Sequence, residues 1–158
     1  MPNAAQFVAS AAAAPVGLLR ATAQDASRLR YALPELGYVV REVRGAKMPT
    51  VSAVFDEFAA AFQFPYYFGE NKDAFDECMR DLEEFVGPAR GYVVLVRDAE
   101  LLLGADPDAI GWFFEAMSFY AQEWSDRTEP AVFRVVLQVE RSLPKSWPTV
   151  QTTVLTLD

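Results

Sequence analysis

The chain has 158 residues, the size of one domain, and 52% of them are hydrophobic, enough for a packed core and too many for a disordered chain. Its formal net charge of −8 disfavours nucleic acid and anionic membranes as partners and favours basic ones. There is no histidine, which excludes Ser–His and Cys–His nucleophile pairs and histidine metal sites, and the single cysteine excludes an internal disulfide, in keeping with a reducing, cytoplasmic setting.

The first fourteen residues are rich in alanine and read as a flexible N-terminus (residues 1–14), ahead of a domain over residues 15–140 and a tail over residues 141–158. No Lys or Arg precedes Arg20, so the basic region of a secretory signal is missing. No apolar run approaches the ~18 residues that a membrane span needs. Val16 to Arg20 is a candidate short strand. Asp25 to Leu33 reads as a helix with Leu29 and Leu33 on one face, broken by Pro34 and Gly37. Tyr38 to Val43, rich in β-branched residues, reads as a strand.

Val51, Val54, Phe55, Phe58 and Phe62 follow helical spacing and predict a helix from Thr50 to Gln63, ended by Pro65. A loop over Pro65 to Glu70 leads into a second helix, Lys72 to Phe85, closed by Gly87 and Pro88. Tyr92 to Val96 is an uninterrupted apolar run, the pattern of a strand covered on both faces. Asp106 and Pro107 read as an N-cap followed by proline at the first helical position. Behind them Ile110, Phe113, Phe114, Met117, Tyr120, Ala121 and Trp124 make a wide apolar stripe. Ala131 to Val139 is the last clear strand, and the tail, which contains Pro144 and Pro148, adds a candidate edge strand at Val150 to Leu157. Strands alternating with helices imply crossover connections, hence an α/β domain around a small parallel sheet of three to four strands.

The second helix concentrates charge. From Glu70 to Glu84 there are seven acids and two bases, a local charge of −5. At about 100° per residue, Phe75, Cys78, Met79, Leu82 and Val86 fall to one side. Asp73, Asp76, Glu77, Asp81, Glu83 and Glu84 fall to the other, with Arg80 among them. Acid pairs one turn apart cost a few tenths of a kcal/mol each, which an Asp76–Arg80 pair offsets only slightly. Asn71 reads as the helix cap, and Asp73 in the first turn suits the helix dipole. Three readings of the acidic face stand open. It is a solvated surface; or Asp73 and Glu77, one turn apart, hold a divalent ion for carboxylate chemistry; or it docks a basic protein, with Tyr66, Tyr67 and Phe68 either as a lid over the core or as part of the docking surface. No positioned base or nucleophile is recognisable, so an enzyme is not expected. Cys78, on the apolar side, reads as a small buried hydrophobe.

The stretch FPYYFGENKDAFDECMRDLEE, residues 64–84, resembles the signature of the barstar family, protein inhibitors of bacterial ribonucleases. The family pattern is a loop rich in proline and tyrosine, then Tyr-Gly-x-Asn-x-Asp-Ala-hydrophobic-x-Asp-Cys-Leu. Those places hold Phe68, Gly69, Asn71, Asp73, Ala74, Phe75, Glu77, Cys78 and Met79 here. The order of elements from Tyr38 to Val139 agrees as well. The resemblance implies a compact α/β domain that inhibits a basic ribonuclease non-covalently, as an immunity protein, without a cofactor. In the family the loop and acidic helix plug the nuclease active site, and their carboxylates take the places of substrate phosphates. Tyr67 matches the loop tyrosine that packs on the nuclease, and Asp73 the first acid. Glu77 stands where the family usually has its principal aspartate, and is one methylene longer. Asp76 stands where the smallest members often carry tryptophan. The family's further acid corresponds to Asp106 or Asp108, and the N-cap reading of Asp106 leaves Asp108. The partner-binding set implied in this way is Tyr67, Gly69, Asn71, Asp73, Asp76, Glu77, Arg80 and Asp108. The alternative is a barstar-fold module that binds another basic protein or a toxin that is not a ribonuclease.

Overall fold

The computed structural model describes residues 1–10, 14–148 and 152–158. Its strands are Val16–Arg20 (β1), Tyr38–Arg44 (β2), Gly91–Arg97 (β3), Val132–Val139 (β4) and Thr153–Leu155 (β5). They form one sheet in the order β2-β3-β4-β1-β5, and every neighbouring pair is parallel. The helices are Ala4–Ala9 (α1), Ala23–Ala26 (α2), Leu29–Ala32 (α3), Val51–Phe62 (α4), Lys72–Arg80 (α5), Leu82–Phe85 (α6) and Ile110–Ser125 (α7). The α/β class and the parallel sheet are as expected, but among the described residues the strands number five rather than three to four.

Parallel strands need both faces covered, and the strand sequences supply two apolar faces. In β3, Tyr92, Val94 and Val96 join the core beneath α4, α5 and α7, whereas Val93 and Leu95 join a second core beneath α1, α2 and α3. The first core positions the acidic helix. Phe55 and Phe58 of α4, Phe75 and Met79 of α5, and Phe113 and Tyr120 of α7 are all buried in it. α4 begins at Thr50, whose hydroxyl accepts from the Ala53 N–H at 3.2 Å, and it ends at Gln63 in the left-handed region (φ 57°).

Four expectations need correction. The N-terminal stretch is not loose over residues 4–9: α1 carries a reciprocal cap between Asn3 and Gln6 (2.9 and 3.0 Å), and its Ala4, Phe7 and Val8 are buried. Gly17 of β1 makes room for this packing, since a Cβ there would lie 2.7 Å from Leu155 and 3.0 Å from Phe7. The helix expected over Asp25 to Leu33 is two short ones, α2 and α3, and it starts earlier because Thr22 caps it. The helix expected to run through Phe85 breaks at Asp81 (φ −116°, ψ 25°) and resumes as α6. Asp106 makes no side-chain cap; a 3-10 turn, Pro107–Ala109, precedes α7 instead. The tail does add an edge strand, β5, beside β1, while Val150 and Gln151 of the stretch expected for it lie outside the described residues. No helix among the described residues is long and apolar enough to cross a membrane.

Candidate functional site

The loop between α4 and α5 sorts its aromatics by direction. Phe64 and Phe68 turn inward and meet edge to face at 5.0 Å. Phe64 also approaches Phe75 (6.1 Å) and Phe85 (5.8 Å), and Phe68 approaches Phe55 (6.1 Å). The Phe68 N–H donates to the Pro65 carbonyl at 3.0 Å, closing the turn between the two anchors. At its tip Tyr66 is 101% exposed and Tyr67 69% exposed, with their rings edge to face at 5.7 Å. A rigid loop that offers two tyrosines to solvent has large amphipathic contact area with little side-chain entropy left to lose.

Gly69 and Asn71 convert this loop into a helix start. The Asn71 side chain accepts from the Ala74 N–H at 2.8 Å and donates to the Gly69 carbonyl at 3.2 Å. A Cβ on Gly69 would lie 3.2 Å from the Asn71 amide nitrogen, so a larger residue there would press on the cap. Glu70 between them is exposed and left-handed (φ 52°).

Along α5, Phe75, Cys78 and Met79 face the core, while Asp73 and Glu77 are exposed, followed by the exposed Asp81 and Glu84. The two cations of the segment are laid against α7. The Lys72 ammonium sits 5.1 Å from the Trp112 ring, and the Arg80 guanidinium lies 5.9 Å from the Phe119 ring and pairs with Glu123 at 3.6 Å. Neither spends its charge on Asp73 or Glu77. Arg80 meets Asp76 only through a long bond from Nε to the Asp76 carbonyl (3.4 Å), so the carboxylate pair expected from their spacing is replaced by Glu123.

Asp76 departs from the outward set. It is half-buried, and its carboxylate accepts the hydroxyl hydrogen of Tyr120 on α7. Burial, reinforced by that bond and the charge of Asp76, pushes the Tyr120 phenol far above its usual range, so Tyr120 is a neutral donor. Glu83 is likewise engaged: Arg127, just past α7, pairs with it at 2.9 Å, donates to the Arg80 carbonyl and stacks 3.6 Å from the Trp124 ring. Trp124 donates from its indole to the Met79 carbonyl at 2.9 Å. Burial, with Glu77 and Asp81 nearby, pushes the Cys78 thiol up to about 11, which makes it a poor nucleophile at neutral pH. Asp108 is exposed in the turn before α7, one helical turn ahead of Trp112 and so at the same end of the helix pair as Lys72 and Asp73. Among the described residues no group of three or more acids, cysteines or histidines is placed to hold a metal ion.

Tyr67, Gly69, Asn71, Asp73 and Glu77 are thus all exposed along the loop and α5, and Asp108 is exposed in the turn before α7. Asp76 and Arg80 are directed toward α7. Of the three aromatics left open between a lid and a docking surface, Tyr66 and Tyr67 face solvent and Phe68 turns inward; sequence reasoning missed the roles of Tyr120 and Arg127, which act on α5 from more than forty residues away. A family model described as Barstar (barnase inhibitor) matches residues 38–138, from the start of β2 nearly to the end of β4. No curated protein and no solved structure matches the chain.

Proposed function

The chain belongs to the barstar family, and on that premise we propose that it inhibits a basic ribonuclease by placing Tyr67, Asp73 and Glu77 in the nuclease active site. The family's description is that of an inhibitor rather than an enzyme. The observation that carries the finer reading is the split of charges on α5: Lys72 and Arg80 lie on aromatic rings of α7, and Asp73 and Glu77 are left exposed and uncompensated. A ribonuclease gathers Lys, Arg and His to hold phosphate. Carboxylates at fixed spacing on a capped helix meet those groups as phosphates would, with no scissile bond. Flanking tyrosines exclude water from the contact, which strengthens each pair. Asn71 and Gly69 act one step back, by fixing where the helix begins.

The test is a titration of the chain into a secreted basic ribonuclease while RNA cleavage is followed. One equivalent should abolish cleavage. A stable complex that still cleaves RNA would mark a barstar-fold binding module for a basic surface away from the active site, and no complex with any basic ribonuclease of the source organism would overturn the reading.

A further inference from the structure

The chain has 22 acids to 14 bases, yet at one place two arginines have no acid partner among the described residues. Arg134 of β4 is only 6% exposed. Its guanidinium donates to the Phe133 carbonyl at 2.8 Å and to the Ser10 carbonyl at the end of α1 at 2.7 Å, while its buried Nε–H has no acceptor among the described residues. Arg90 lies with its guanidinium 5.0 Å from the ring of Tyr38, and among the described residues that guanidinium makes one hydrogen bond, a long one of 3.3 Å to the Leu36 carbonyl. No ion pair among the described residues involves either arginine. Both line a cleft of about 570 Å³ near the starts of β1, β3 and β4, with Ser118 and Ser125 of α7 on its wall. None of its lining residues belongs to α5 or to the loop before it.

Burying a cation without a counter-ion is costly, and an orphaned donor adds to that cost. Burial correspondingly lowers the Arg134 pKa, and Tyr38 acts on it in the opposite direction. Two guanidinium groups on one cleft are a donor set for a compact oxyanion, because the planar fork matches both carboxylate and phosphate oxygens. We propose that this cleft binds a small oxyanion, a phosphate or a carboxylate, between Arg90 and Arg134. The site is independent of the docking surface on α5.

Thermal unfolding of the whole chain tests it, with sodium phosphate and sodium succinate compared against sodium chloride at matched ionic strength. At least one anion should raise Tm by about 3 °C at roughly ten times its dissociation constant. Arg90 is exposed, so Arg90→Ala folds, and it should remove that rise. The anion that acts identifies the head group. Phosphate also stabilises proteins generally by exclusion from their surface, so a rise that persists in full in Arg90→Ala overturns the site, as does no rise above chloride. In the unaltered chain the Arg134 Nε–H resonance should move on titration with the active anion, and a stationary signal would equally contradict the proposal.

Discussion

Asp76 and Glu77 are adjacent acids with opposite fates. Glu77 is exposed, whereas Asp76 accepts the Tyr120 hydroxyl in a half-buried setting. Removing that hydroxyl by Tyr120→Phe leaves a partly buried carboxylate short of a donor, so it should cost about 1–3 kcal/mol of stability and lower the urea midpoint; a midpoint equal to that of the parent would mean Asp76 is satisfied by water. Helical periodicity put both acids on the polar side, because the turn toward α7 depends on a residue 44 positions downstream. The inward place of Cys78, between Phe75 and Met79, was legible from the same periodicity, since an apolar stripe needs no distant partner. Cys78 is 6% exposed and its thiol is pushed up to about 11 from an ordinary 9.0. Its thiolate should therefore be about a hundredfold scarcer than that of the unfolded chain at neutral pH. A thiol reagent should react at least that much more slowly with the folded protein, and equal rates with and without denaturant would show that the helix faces are wrongly assigned. The linkage has a sign as well. The unfolded thiol loses its proton near pH 9 and the folded one near 11, so this contribution to stability is intact below pH 9 and is lost as pH rises through that window.

Elements begin where the sequence announces them and end where distant residues intervene. Thr50, Asn71 and the Asn3–Gln6 pair are local caps, and each opens its helix. The last was overlooked because the alanines around it read as a loose tail. The break at Asp81 has no local signal. Arg127 donates to the Arg80 carbonyl, the group that would otherwise accept from the Glu84 N–H, which bonds instead to the Asp81 carbonyl at 2.9 Å. Leu82 is then buried at the start of α6. Arg127→Ala should cost about 1–3 kcal/mol, chiefly through the unsatisfied carbonyl, because a partly exposed pair such as Glu83–Arg127 contributes little. Amide exchange over residues 81–86 should speed up while β3 and β4 stay protected; unchanged exchange there would mean the break is encoded within the segment itself.

At the scale of the molecule, the sheet was foreseeable and its width was not. That β3 is covered on both faces was legible in its uninterrupted apolar run, but the place of β1 between β4 and β5 was not, and there Phe7 and Leu155 converge on Gly17. The outward charge is also narrower than the sequence count of the acidic segment, because Asp76 and Glu83 are engaged with Tyr120 and Arg127. What remains, from Glu70 through Asp73, Glu77 and Asp81 to Glu84, is exposed. Such an array on a chain of charge −8 should steer a cationic partner. Association should be fast near 0.01 M salt and slow markedly by 0.15 M, as the screening length contracts from about 30 to about 8 Å, and a rate indifferent to salt would exclude steering. Affinity rests on fewer groups. Glu83 is tied to Arg127, so Glu84 is the appropriate rim control. The most direct measurement is the affinity of Glu77→Ala for a basic ribonuclease whose cleavage the parent chain abolishes in the titration above, with parent and Glu84→Ala measured beside it. Glu77→Ala should bind at least about a hundredfold more weakly, roughly 2.7 kcal/mol, with its urea midpoint unchanged and Glu84→Ala within about threefold of the parent. Undiminished affinity of a folded Glu77→Ala chain would contradict the assignment of α5 as the element that enters the nuclease.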